Sequence, residues 1–511
     1  MSVAHKNAYC QKRQAGDGGL HARCMVKMGV KMSALNIEPK KVFDFFELIA
    51  SVPHGSDNTA QITELCCEFA RQRGLEYYCD ELGNVIIYKN ASCGYEGHET
   101  VILQGHLDMV TVKTADCTKD LEKDGLDLKT DCKYLWAEGT SLGADDGIAV
   151  AMALAVLDSD TIPHPPIEAV FTINEETGMD GAQFLDASKL RGKTMLNIDS
   201  ELEGVITCGC AGGAHVLAQF PLNLKTEELY CAELSINGLT GGHSGNEIHK
   251  NRANSNILMG RLLGEINAKN TLRLVSIDGG EKDNAIANAS TCTVAFNEAD
   301  RNAVLETVMY FSKHAYEKYS GTDPNIEITV TELGKACVSA ADADISSKII
   351  TALSAVPDGV QTMSPDIEGL VESSLNLGVV TTEDDTLSLT FCLRSSSAAE
   401  MGNMKGKLND IFTANGGTLT IGGEYPAWEY RKHSVLREKA AAAYESLYGE
   451  KPELSVIHAG LECGLFADKI KDLDCISFGP NIPDIHTTNE KLDVASTQRV
   501  WEFLLKLLQS L

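Results

Sequence analysis

Four short apolar runs in this chain lead into a histidine or an acid, and helical stretches separate the first three. VILQGH ends at His106, PIEAVFTIN runs into Glu175 and Glu176, TMLNIDS holds Asp199, and DCISF leads on to His486. GIAVAMALAVLDSD and GAQFLDASKL supply the helices. Runs that are apolar throughout belong to strands covered on both faces, and helices between them return the chain to the same sheet edge. The fold class is therefore α/β with a largely parallel sheet. Ligands in such sheets collect beyond the carboxyl ends of the strands.

Upstream, KKVFDFFELIASVP reads as an amphipathic helix stopped by Pro53, and TAQITELCCEFARQRG as a second closed by Gly74. EYYCDELGNVIIYKN reads as a hairpin about Leu82-Gly83-Asn84. From about Gly212 the texture changes to alternating strands with intervening helices, such as ANSNILMGRLLGEINA, an α+β pattern that leaves room for two similar units. The last segment returns to α/β type and ends in the helix STQRVWEFLLKLLQSL. A chain of 511 residues favours two or three domains. The economical division is an outer domain from residues 32–211 and 428–511, interrupted by a middle domain over 212–427. Residues 1–31 carry Lys6, Lys12, Arg13, Arg23, Lys27 and Lys31 against the single acid Asp17 and lack the apolar core of a signal peptide. They are expected to be a disordered extension, or the result of an upstream start, with the folded chain beginning near Met32.

The charge balance, 44 basic against 72 acidic residues for a net −28, argues against nucleic acid or an anionic membrane surface as partner. No apolar run is long enough to span a bilayer. The 16 cysteines have no disulfide-scaffold spacing and suit free thiols in a reducing cytoplasm.

The strand-end residues carry the chemistry. Asp145 and Asp146 in GTSLGADDG precede a helix and could merely cap it, and Glu175-Glu176 could be a solvated turn. Taken together with His106, Asp199 and His486, they make five clusters of His, Asp or Glu at the edge where α/β folds bind ligands. Imidazole plus carboxylate suits zinc, with cobalt or manganese as substitutes. Two His and three carboxylates exceed the needs of one catalytic zinc and fit two ions sharing one carboxylate. Asp108 lies two residues beyond His106 on the same face, where it is expected to receive the other ring N–H. Adjacent Glu175 and Glu176 should diverge, one toward metal and one toward water as general base.

GHLDMV, GTSLGADDGIAVAMAL, NEETGMDGA, NIDSE, GGHSGNEIHKNRANSN, IHAGLECGLF and GPNIPDIHTTNEKL occur in this order, and the chain from about Met32 onward resembles the M20-type metallopeptidases. Within them it is most similar to the aminoacyl-histidine (Xaa-His) or cytosol nonspecific dipeptidase group. The resemblance implies a zinc-exopeptidase-like catalytic domain interrupted by an α+β lid and dimerisation domain. It implies two zinc ions, one held by His106, Asp145 and Asp199, the other by Asp145, Glu176 and His486. Asp108 would orient, and Glu175 would activate a water bridging the metals. His243 in GGHSG would donate to the developing oxyanion, and Asn284, Arg394 and Gly460 would bind substrate, Arg394 at the terminal carboxylate. The implied substrates are short peptides, chiefly dipeptides including Xaa-His; the implied assembly is a cytoplasmic homodimer. Two departures stand out: KDNAIANAS lacks the usual proline after the Asn–Ala pair, and Asp146 stands where near relatives often carry Asn, a change not expected to alter metal binding. The rival readings are an M20-type tripeptidase or N-acyl amino acid deacylase, and a noncatalytic binding protein, which the presence of every ligand and of Glu175 opposes.

Overall fold

The computed structural model describes residues 35–511, so the expectation for residues 1–31 lies outside the described residues. The first of two large sheets takes six strands from before residue 212: β1 Glu76–Cys79, β2 Val85–Lys89, β3 Val101–His106, β4 Ile167–Thr172, β5 Thr194–Asn197 and β6 Val205–Cys210. The second large sheet has eight strands along its main path: β7 Gly212–Pro221, β8 Lys225–Asn237, β9 Arg273–Gly279, β10 Ser290–Phe296, β11 Glu327–Ala340, β12 Val371–Glu383, β13 Thr386–Ser395 and β14 Thr418–Tyr425. β15 Glu453–Ile457 and β16 Asp474–Ser477 complete the first large sheet. The helices are α1 Lys40–Ala50, α2 Ala60–Arg73, α3 Ala144–Asp158, α4 Asp180–Phe184, α5 Ser255–Asn267, α6 Arg301–Tyr319, α7 Ala343–Ala355, α8 Ala398–Ala414, α9 Val435–Tyr448, α10 Glu462–Lys469 and α11 Val494–Ser510.

The first sheet runs β1-β2-β4-β3-β5-β16-β6-β15. Its centre, β4-β3-β5-β16, is parallel throughout, while β1 and β2 form the antiparallel hairpin read from the sequence. Parallel neighbours end at one edge. His106 closes β3, Glu175 lies three residues beyond β4, Asp199 two beyond β5, and His486 in the loop beyond β16. The topology therefore gathers the residues that the apolar runs lead into. Helix α3 is buried along nearly its whole length, with α1 on one side and β3 on the other. The approach to β3 is close: a Cβ on Gly105 would stand 2.7 Å from the Ala149 Cβ and 2.6 Å from the Asp146 Oδ2.

The second sheet runs β11-β8-β10-β9-β12-β13-β7-β14, with Gly359–Met363 added beside β12. It contains the same unit twice. β8, α5, β9, β10, α6 and β11 make a βαββαβ unit in spatial order 4-1-3-2. β7, α7, β12, β13, α8 and β14 make another, in the order 2-3-1-4 along the sheet. The two meet where Gly279 of β9 pairs with Val380 of β12. The chain enters and leaves this sheet at one place, where Cys210 and Trp428 exchange both main-chain hydrogen bonds at 3.0 and 3.1 Å. Among the described residues no helix is long and apolar enough to cross a membrane.

Candidate active site

The Asp145 carboxylate sits between two imidazoles. Its Oδ1 is 3.1 Å from the His106 Nε2 and its Oδ2 is 3.0 Å from the His486 Nε2. His486 Nε2 also lies 2.9 Å from the Glu176 Oε1, and Asp199 Oδ1 is 3.9 Å from the His106 Nε2. All five expected ligands are thus brought together. Asp145 does not cap α3: the buried carboxylate of Glu490 accepts the N–H groups of Leu142, Gly143 and Ala144 at 2.9, 3.3 and 2.8 Å. With those donors satisfied elsewhere, Asp145 and Asp146, whose dihedrals are not helical, are left for the strand end.

Asp146 has a larger part than the sequence indicated. Candidate ligand atoms of His106, Asp145 and Glu176 all lie within 4.8 Å of one another, and so do those of His106, Asp146 and Asp199. Asp146 Oδ2 also accepts the main-chain N–H of His106 at 3.2 Å. The orienting contact differs from expectation too. His106 Nδ1 is 2.9 Å from the main-chain carbonyl of Asp108 and 3.6 Å from its carboxylate. That carboxylate instead accepts from the Ser56 hydroxyl at 2.8 Å and from the N–H groups of Glu175 and Glu176 at 3.0 and 3.3 Å. The chain turns there through Asn174, at φ 56, a conformation Asn tolerates, and Asn174 exchanges two hydrogen bonds with Asp57. Ser56 and Asp57 escaped the sequence analysis because their partners are far along the chain.

The electrostatics call for cations. Burial works against the His106 imidazolium, yet Asp145, Asp199 and Asp108 hold its pKa well above the ordinary value. Burial raises Asp199 well above the carboxylate range, with Asp146 adding to it, and the Glu175 carboxyl is pushed up to about 8, first by burial, with His106 opposing and Glu462, Glu176 and Asp145 adding. Among the described residues no Lys or Arg pairs with any acid of this cluster. Asp199 Oδ2 is buried without a hydrogen-bond partner, and the buried Glu176 Oε1 faces the His486 Nε2. Buried carboxylate oxygens, that of Asp199 orphaned, beside imidazole nitrogens are the donor set of a zinc-type site, so the residues fit a bound metal.

Of the other expected residues, Arg394 lies in the second sheet, His243 and Asn284 at a separate two-stranded ladder, and Gly460 in the loop after β15. His243 pairs with Ala285 in a two-residue ladder, and its Nδ1 accepts the N–H groups of Gly245 and Asn246 at 3.2 and 3.1 Å. The proton of the neutral ring is therefore on Nε2. Burial and then Arg394 lower the His243 pKa, which keeps the ring neutral. Exposed Asn284 flanks this ladder, its carbonyl accepting the Ser244 N–H. Arg394, 9% exposed, is near the end of β13. Gly460 packs against the Tyr425 ring. His458, in the same segment as Gly460, is held by Ser374 at 2.7 Å, and burial lowers its pKa to about 4, with Arg394 adding. Among the described residues no hydrogen bond or ion pair joins His243 or Arg394 directly to the Asp145 cluster.

The sequence profile of Peptidase family M20/M25/M40 matches residues 102–510. The chain belongs to this family. It is a peptidase, a hydrolase of peptide bonds. This M20 chain is 34% identical over 488 residues to the cytosol non-specific dipeptidase of Escherichia coli K12, a match covering 94% of the chain and 99% of that protein. The crystal structure of aminoacylhistidine dipeptidase from Vibrio alginolyticus superimposes with a TM-score of 0.88 at 35% identity, covering 95% of the chain and 99% of that structure. The aminopeptidase PepT of Bacillus cereus, at 16% identity and a TM-score of 0.54 over 93% of this chain and 98% of its own, shares the fold. The fold class is thus the M20 one, a mixed but centrally parallel sheet joined to a second α+β layer.

Proposed function

We propose that this M20 chain is a cytoplasmic di-zinc dipeptidase that cleaves short peptides, chiefly dipeptides including Xaa-His. The observation that carries the reading is the Asp145 carboxylate spanning His106 and His486, with Glu176 against His486 and a buried, unpartnered oxygen of Asp199 beside it. His106, Asp145 and Asp199 would hold one ion, and Asp145, Glu176 and His486 the other. Bound zinc lowers the pKa of water to about 7 and polarises the scissile carbonyl.

The protein's own groups do the rest. Glu175, beside the cluster and fixed through its N–H by Asp108, takes a proton from the attacking water and passes it to the leaving amine. His243, with its proton on Nε2, donates to the carbonyl oxygen as charge builds there. Arg394 receives the peptide's terminal carboxylate, flanked by Asn284 and Gly460. Because His243 and Arg394 stand outside the metal-bearing sheet, residues 212–427 act as a lid that closes over the peptide, inserted between catalytic segments 32–211 and 428–511. The names of the similar dipeptidases support the substrate class, and the acidic composition supports a small, non-nucleic-acid partner. We also propose a homodimer through the middle domain, which sedimentation at several concentrations tests.

The deciding experiment measures zinc per chain and turnover on one preparation, with a panel of dipeptides, tripeptides and acetyl amino acids. Two zinc per chain and a preference for dipeptides are expected. A preference for tripeptides or acetyl amino acids would favour the tripeptidase or deacylase reading, and one zinc in fully active enzyme would remove the bridging role of Asp145.

A further inference from the structure

Arg394 is a buried cation. Among the described residues no acid lies within ion-pair distance of it, and its Nε is buried without a hydrogen-bond partner. The phenol oxygen of Tyr425 accepts from its Nη1 at 3.2 Å. A carboxylate in that place would neutralise the guanidinium. A phenol oxygen orients it and leaves the charge available to a ligand. Burial pushes the Tyr425 phenol up, with Arg394 opposing, and the group stays protonated and neutral.

The ring that carries this oxygen is fixed by its surroundings. Tyr425 ends β14 opposite Gly213 of β7. A Cβ on Gly213 would stand 2.4 Å from its ring, and one on Gly460 would stand 2.7 Å away. Neither glycine has a positive φ, so both are needed for room and not for backbone conformation. Immediately beyond Tyr425 the chain crosses to the first sheet, where Trp428 and Cys210 are hydrogen-bonded, and Ala211 donates to the carbonyl of Ala459 at 3.0 Å. The phenol is thus held by the lid sheet, by the crossing and by the loop that contains Gly460.

We propose that Tyr425 is a positioning residue that aims the Arg394 guanidinium at the peptide's terminal carboxylate, and that Gly213 and Gly460 are glycines because they seat its ring. This rests on the reading of Arg394 as the carboxylate receptor. Tyr425→Phe removes the hydroxyl and keeps the ring, so metal content and melting temperature should not change. Kinetics on a dipeptide and on the same dipeptide with a C-terminal amide provide the readout. Loss of one hydrogen bond to a charged group predicts a KM about tenfold higher for the free acid, with kcat within about twofold and the amide unaffected. Arg394→Ala should abolish the preference for acid over amide. If Arg394→Ala preserves that preference, the receptor reading fails and the role of Tyr425 falls with it. If Arg394→Ala abolishes it while Tyr425→Phe behaves as wild type, Tyr425 does not aim Arg394. Equal loss on acid and amide in Tyr425→Phe would make Tyr425 a structural residue of the crossing and overturn the proposal.

Discussion

His106 and Asp108 are joined through the main chain: the imidazole Nδ1 meets the Asp108 carbonyl at 2.9 Å, while the Asp108 carboxylate, 3.6 Å from the ring, gathers the N–H groups of Glu175 and Glu176. One residue thereby orients the histidine with its backbone and the paired glutamates with its side chain. Asp108→Asn keeps the carbonyl and removes acceptor capacity from the side chain. It should retain metal close to the wild-type level and lose turnover by about 10- to 100-fold, the usual cost of disturbing a group behind a metal ligand. Zinc analysis together with kcat checks this; loss of metal with normal specific turnover per zinc would return the orienting role to the carboxylate.

Glu175 and Glu176 leave one turn in different surroundings. Glu176 Oε1 is 2.9 Å from His486, whereas Glu175 makes no ion pair among the described residues. Glu175→Gln should keep both metals and lower turnover by about 100-fold or more. Glu176→Gln should weaken metal binding. Parallel zinc titrations and rate measurements decide, and the reverse outcome would exchange the two roles.

The two N–H groups that converge on His243 Nδ1 leave Nε2 as the donor. Removing an oxyanion donor costs about 100- to 1000-fold in turnover. His243→Ala should show that loss in kcat with zinc content unchanged. A variant with normal kcat would make His243 an ordinary turn residue.

The strand-end cluster was legible because each apolar run points to its own polar terminus, and a parallel sheet aligns those termini. What stayed hidden depends on distant partners. Asp145 as ligand or cap could not be resolved locally, because the cap comes from Glu490, 346 positions from Ala144. The repeat in the middle sheet was obscured because one βαββαβ unit is inserted after the first strand of the other, which breaks the period along the chain. Asp146 reads from the sequence as a change without effect on metal binding, while the close approach of α3 to Gly105 brings it against His106 and Asp199. Tyr425 has no motif of its own; its position follows from glycines at 213 and 460.

Glu462 is another group the sequence did not expose. It is fully buried, and its Oε2 accepts from Gln104 Nε2 at 2.5 Å and Thr172 Oγ1 at 2.6 Å, while Gln104 Oε1 accepts from Asn197 at 2.5 Å. This network ties the start of α10 to β3, β4 and β5 just below the cluster. Burial pushes the Glu462 carboxyl from 4.5 up to about 7, with His106 opposing most strongly. Below pH 4.5 both folded and unfolded chains keep the proton, so the group has no effect on stability there. Between 4.5 and 7 the unfolded chain releases it while the folded chain holds it, and stability falls as pH rises; above 7 the loss is constant. Glu462→Gln stays neutral and keeps an acceptor for Gln104 and Thr172. Chelator-treated wild type should therefore lose stability between pH 5 and 7 relative to this variant, and the two should run parallel above about pH 8. Urea midpoints across the range test it; equal pH slopes for both proteins would mean that Glu462 is already ionised in the folded state.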